Sequence, residues 1–301
     1  MSAPGERSNS TGAPGERSDG AGAPGERFDE GALTWGRRYV MCPPEHFDVL
    51  YEINPWMHRN VKVDLERARE QWERLVDALR AAGAVVEVME PHPDLPDLVF
   101  TANAGIVNGN QFVASRFRHP ERQAEVPYDI EWFEKHGFVV DTLPDDVSFE
   151  GAGDALPFGR VLLAGYRFRS DAGSHVYVSK LTGAAVRSVE LVDARLYHLD
   201  LTFCPLDDRR AIIAPDGWDP YGRKVVAALV PEPLVLELDD ALRFCANSVV
   251  VGANVIMPSC PPAVGRRLEA WGFDVAVAPV DEFLKAGGGC RCLTLALDVV
   301  L

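Results

Sequence analysis

Apolar residues at Val61, Leu65, Ala68, Trp72, Leu75, Val76 and Leu79 recur at helical spacing over 61–82, and Gly83 then supplies a C-terminal stop. The pattern predicts an amphipathic helix followed by a strand over 85–89. The same grammar returns twice more: a helix around 130–135 stops at Gly137 before a strand at 138–143, and one around 264–271 stops at Gly272 before a strand at 273–278. After each such strand come an acidic or proline-bearing turn, a short polar cluster, and two apolar strands joined by a tight turn.

The polar clusters read TAN at 101–103, EGAGD at 150–154, HLD at 198–200, CAN at 245–247 and CRC at 290–292. Taking Asn103, Glu150, His198, Cys245 and Cys292 as markers, the steps are 47, 48, 47 and 47 residues, so one mixed strand–helix unit is repeated five times. A period of this length predicts a closed or stacked α/β repeat in which the five polar positions converge on a common axis. An open parallel α/β sheet also alternates helices and strands, but gives no reason for polar residues at one fixed phase.

The chain has 301 residues, 47% of them hydrophobic, enough for a substantial core. Residues 1–33 carry SAPGERS, GAPGERS and GAPGERF at Ser2, Gly12 and Gly22, a Gly/Pro/Ser/charge repeat that cannot bury a core, and are expected to form a disordered tail. Residues 34–301 are then a single domain. The formal net charge of −15 repels phosphate backbones and anionic membranes, which argues against nucleic-acid and membrane partners and suits a cationic small molecule. The six cysteines form no compact disulfide framework, and neither a signal peptide nor a membrane-length apolar run is present, which predicts a cytoplasmic protein. No CxxC pair or HExxH helix suggests a metal site. A homo-oligomer is compatible with all of this.

A thiol, an imidazole and carboxylates gathered from distant parts of a chain are the materials of covalent catalysis. Cys292 follows the glycines Gly287, Gly288 and Gly289, which permit close backbone approach, and it shares the repeat phase of His198 and Glu150. In YHLD, alternation places His198 and Asp200 on one face of a strand, and imidazole titrates near neutrality. Glu150 and Asp154 flank a Gly-Ala-Gly turn. Cys290 would point the same way as Cys292 and is given no catalytic role.

In order, DLVFTANAGIV, FEGAGDAL, YHLDLTFCPL, FCANSVVV and LKAGGGCRCLTL resemble the guanidino-group-modifying superfamily of arginine deiminases, dimethylarginine dimethylaminohydrolases and amidinotransferases. The likeness extends from about Tyr39 to the C-terminus and includes MCPPEHFDVLYEINPWM. It implies a five-bladed α/β propeller, in agreement with the repeat count. It also implies Cys292 as nucleophile, His198 as general acid/base and Glu150 as the carboxylate pairing with the guanidinium and His198. Asp200 joins Glu150 in holding guanidinium N–H groups, and Asp154 is a further substrate-binding candidate. Arg122 in RHPERQ, then Arg169 in YRFRS, are candidates for the substrate α-carboxylate, and Asn54 in INPWM for closing over the amino-acid end.

One position departs from the family pattern. Where deiminases and dimethylaminohydrolases carry an Asp that grips the guanidinium, this chain has Asn103, as do the arginine dihydrolases, which continue past citrulline to ornithine. A guanidinium offers only donors, whereas the ureido group of citrulline also presents an oxygen acceptor that an amide NH2 can polarise. The expectation is therefore a cysteine hydrolase taking arginine to ornithine, ammonia and carbon dioxide with no metal or organic cofactor. The alternatives are a dimethylarginine dimethylaminohydrolase or deiminase, then an amidinotransferase, or, outside enzymes, an arginine-binding propeller. On the same ground, Asn103 could instead merely weaken guanidinium binding in an ordinary deiminase.

Overall fold

The computed structural model describes Met1 and residues 33–301; the expected tail lies outside the described residues apart from its two ends. The helix expected over 61–82 spans Leu65–Ala81, capped by the Asp64 carboxylate accepting from the Arg67 amide, and it ends before Gly83 at φ +94°. Its buried stripe is Ala68, Gln71, Trp72, Leu75, Val76 and Leu79; of the predicted face, Val61 lies ahead of the helix, and it and Leu65 are exposed. Burying each of the larger side chains in this stripe contributes roughly 1.5–3 kcal/mol.

Fifteen strands are described: β1 Arg38–Met41, β2 Val85–Val88, β3 Gly105–Asn108, β4 Gln111–Ala114, β5 Val139–Asp141, β6 Ala155–Phe158, β7 Val161–Tyr166, β8 Ala185–Glu190, β9 Phe203–Pro205, β10 Arg210–Ile213, β11 Glu232–Val235, β12 Val249–Val251, β13 Asn254–Met257, β14 Asp274–Val277 and β15 Leu295–Ala296. They form five three-stranded sheets, ordered β15-β1-β2, β3-β4-β5, β6-β7-β8, β9-β10-β11 and β12-β13-β14. In each, the first strand named pairs antiparallel with the middle one. The middle strand pairs in parallel with the outer one after a helical crossover, which a parallel pair requires. The crossover helices are Leu65–Ala81, Glu125–Lys135, Ser174–Thr182, Pro220–Leu229 and Pro262–Ala270.

This is the five-bladed α/β propeller. Its ring closes through β15 against β1, with Tyr39 opposite Ala296 and Val40 opposite Leu295, so the two ends of the domain share one blade. Inner strands such as β9, β12 and β15 are wholly buried, whereas the outer strands β2 and β14 expose both ends and β5 its first residue. Inner strands therefore read as unbroken apolar runs, such as VVV in β12.

The polar clusters lie immediately ahead of the inner strands, and hydrogen bonds link them in a circle. Ala102 N donates to Cys292 O, Asn103 Nδ2 to Glu150 O, Leu199 N to Asp154 Oδ1, Asn247 Nδ2 to Asp200 O, and Arg291 N to Asn247 O. Each contributes about 0.5–1.5 kcal/mol.

Two sequence expectations change here. His198 and Asp200 do not lie on an alternating strand: residues 194–196 and 199–201 are 3₁₀ turns, with Leu201 N donating to His198 O. The repeat phase also shifts. Counted back from the inner strands, Phe100, Glu150, His198, Phe244 and Cys290 stand five residues ahead, whereas Cys292 stands three ahead, in phase with Asp200. The equivalent turn bonds Asn103 N to Phe100 O, Leu201 N to His198 O and Asn247 N to Phe244 O fix that alignment. In the fifth blade, β12-β13-β14, the residue matching Asn103 is Asn247, and Cys245 is packed in the core.

Candidate active site

A narrow cavity opens at this end of the axis, lined by Asn54, Asp97, Asn103, Arg122, Arg169 and Cys292, with apolar wall from residues such as Phe100 and Tyr197. The glycine run shapes the wall beside Cys292. A Cβ on Gly288 would come within 2.2 Å of the Phe100 ring, and one on Gly289 within 2.6 Å of Asn247 Oδ1. Cys292 Sγ donates to Asp200 Oδ2 at 3.3 Å and accepts from Asn247 Nδ2 at 3.2 Å. Cys290 does not point with it: its thiol is buried toward Ala278 O.

Behind the cavity wall, His198 Nε2 lies 2.9 Å from Glu150 Oε2, which also accepts from Arg169 Nη1 at 2.9 Å. Arg169 continues to Ile53 O and lies 4.6 Å over the Tyr197 ring. Arg122 donates to both oxygens of Glu125, to Asn103 Oδ1 and to Asp97 O. Both arginines are only 3% exposed, so neither is a surface residue. Four of the five N–H groups of Arg122 are thus engaged, whereas Arg169 uses two.

Asn54 acts locally, donating to Ala286 O and accepting from Trp56 N and Met57 N, which pins the opening segment against the glycine run. Asp154, expected to bind substrate, does not line the cavity. Its oxygens accept from Ser170 Oγ and Leu199 N, and so hold the turn that carries His198.

Burial raises carboxyl pKa values, yet the Arg169 ion pair and the hydrogen bond and charge of His198 outweigh it and hold Glu150 far below the usual carboxylate range. Asp200 has less help: burial pushes it up to about 7, only partly offset by Cys292, Arg291 and Asn247. Burial, then the negative charge of Asp200, raises Cys292 well above an ordinary thiol. Cys292 is therefore held as a thiol that donates its hydrogen bond to Asp200. Alkylation of Cys292 by iodoacetamide, followed by peptide mapping, should accelerate about tenfold per pH unit from pH 7 to 9 without a plateau, since only thiolate reacts. A plateau below pH 8 would contradict this ionisation.

Three oxygens at the site, Asp97 Oδ1, Glu150 Oε1 and Asp200 Oδ1, have no hydrogen-bond partner among the described residues. Each costs on the order of 1–3 kcal/mol in that state, so all three favour a ligand rich in N–H donors. Asp97 was not singled out in the sequence, although it opens DLVFTANAGIV; its Oδ2 accepts from Tyr51 OH. A buried acid among apolar neighbours was the available signal. For Asn247 the signal was the match of CAN to TAN.

A family model for N,N dimethylarginine dimethylhydrolase, eukaryotic, matches residues 51–299. The chain belongs to that family. With it the chain joins the guanidino-group-modifying superfamily. Bifunctional arginine dihydrolase/ornithine cyclodeaminase ArgZ of Synechocystis sp. is 46% identical over 263 residues, covering 86% of this chain and 37% of that protein, so the chain spans little more than a third of the relative's length. N(G),N(G)-dimethylarginine dimethylaminohydrolase of Mycobacterium tuberculosis is 38% identical over 261 residues, covering 87% of this chain and 86% of that protein. Crystal structures of the N-terminal domain of ArgZ, one bound to substrate and one covalently bound to a reaction intermediate, superpose at TM-score 0.84 with 45% identity, covering 86% of this chain and 97% of theirs. Among the described residues, no helix is long and apolar enough to cross a membrane.

Proposed function

We propose that this chain hydrolyses L-arginine at its guanidinium carbon through a covalent adduct on Cys292, and carries the product on to ornithine. The observation that carries this reading is the Asn103 amide. Arg122 occupies its oxygen, and of the two N–H groups on its nitrogen only one is engaged, by Glu150 O at 3.4 Å, in a residue that lines the same cavity as Cys292.

The substrate cation enters between Glu150 Oε1 and Asp200 Oδ1, and its α-ammonium goes to Asp97 Oδ1. Its α-carboxylate goes to the free N–H groups of Arg169, with the one left on Arg122. A positive charge beside Asp200 and Cys292 favours thiolate, which removes the obstacle to attack. The thiolate adds to the guanidinium carbon, His198 protonates the departing ammonia, and a thiouronium remains. Water deprotonated by His198 adds to it and releases citrulline with the thiol.

In a second cycle the thiolate adds to the ureido carbon while Asn103 donates to its oxygen. Ammonia leaves, water cleaves the thiocarbamate, and the resulting carbamate loses carbon dioxide to give ornithine. Arginine and two waters thus become ornithine, two ammonia and carbon dioxide. We place the reaction in the cytoplasm, where thiols stay reduced.

Incubating the full chain with arginine and following arginine, citrulline, ornithine and ammonia tests the proposal. Ornithine with two ammonia per arginine is expected. Citrulline as the end product, with one ammonia, would reduce the activity to a deiminase. Release of dimethylamine from dimethylarginine with arginine untouched would make it a dimethylaminohydrolase, the activity for which the matching family model is described.

A further inference from the structure

Arg122 is gripped from behind by a residue that has no place in the scheme above. Glu125, 2% exposed, accepts from Arg122 Nε at 2.8 Å and from Nη2 at 2.6 Å, a two-pronged ion pair. The guanidinium is further fixed by Asp97 O at 3.2 Å and by the Phe117 ring at 4.4 Å, and it then donates to Asn103 Oδ1 at 2.8 Å. By contrast, the Asn103 NH2 side has only a 3.4 Å contact to Glu150 O. The amide could turn over if its oxygen lost that donor. Its orientation is therefore set by Glu125, which lies in the crossover helix of the second blade and does not line the cavity.

We propose that Glu125 is a specificity-determining positioning residue, which through Arg122 holds the Asn103 amide with its NH2 toward the substrate and so permits the second hydrolysis. This rests on the dihydrolase reading. With the clamp intact, the cavity offers a donor to the ureido oxygen of citrulline. Without it, the amide oxygen turns to the cavity part of the time. An acceptor there suits guanidinium N–H groups and opposes the ureido oxygen. Loss of Glu125 thus bears on the second step more than on the first.

The test is Glu125→Gln in the full chain, which keeps the size of the side chain but replaces one acceptor of the fork by a donor. Turnover of arginine and of added citrulline is measured separately, together with products from arginine. Arginine consumption should fall no more than about threefold, citrulline turnover should fall about tenfold or more, and citrulline should accumulate. Glu125→Asp, which keeps the carboxylate, should restore part of the second step, and it carries the test if Glu125→Gln does not fold. In an Asn103→Asp background, Glu125→Gln should leave the product ratio unchanged, because no amide remains to orient. Equal losses in both steps would reduce Glu125 to a structural role and overturn the inference, as would an unchanged ratio in both Glu125 variants. If the unaltered chain itself stops at citrulline, the dihydrolase reading fails, and this inference falls with it.

Discussion

Cys292→Ser is expected to lower turnover of arginine at least about a thousandfold, whereas Cys290→Ser keeps most of it. The two thiols are two residues apart, but their surroundings differ. Cys292 lines the cavity and donates to Asp200, with Asn247 donating to its sulfur. Cys290 is buried away from the cavity toward Ala278 O, a bond that a serine hydroxyl can also make. A serine at 292 has a far higher pKa than a thiol, and burial beside Asp200 raises it further, so the substrate cation alone cannot generate the oxyanion. Steady-state turnover of the two variants, with mass spectrometry of intact protein under substrate, is the measurement. Comparable losses in both, or an adduct on Cys290, would overturn the assignment.

If the chain works in the two steps proposed, Asn103→Asp should make it stop at citrulline. The new carboxylate keeps the bond from Arg122 and suits guanidinium donors. However, it places an acceptor against the ureido oxygen where the Asn103 NH2 now stands, and another against Glu150 O. One opposed acceptor pair in a buried site costs roughly 1–3 kcal/mol, about one to two orders of magnitude in the second step. Arginine consumption should survive, citrulline should accumulate, and the ammonia-to-arginine ratio should fall from two toward one. A variant that still makes ornithine at the original rate would remove Asn103 from the second step.

Much of this protein was legible in the chain. The helix Leu65–Ala81 and its glycine stop follow from local periodicity, which depends on neighbours three and four residues away. The fivefold repeat followed from the polar clusters, and the motifs around Cys292, His198 and Glu150 pointed to one site. Phase and orientation within each cluster were not legible. The sequence placed His198 and Asp200 on one strand face and Cys292 in phase with His198. The 3₁₀ turns instead shorten the chain there, and the inner strands start at unequal intervals.

Only the tertiary structure decided that Asp154 supports a turn, that Arg122 is held by Glu125, that Asn247 reaches the thiol, and that Asp97 has an oxygen at the cavity. These facts rest mostly on contacts between blades. The Asn247 to Cys292 bond joins residues 45 apart, Asp200 and Cys292 are 92 apart, and Arg122 lies 19 residues from Asn103. Hydrogen-bond direction and burial at such contacts depend on how whole blades pack around the axis. A linear pattern records which side chains are available, whereas packing decides which of their atoms remain free for a substrate.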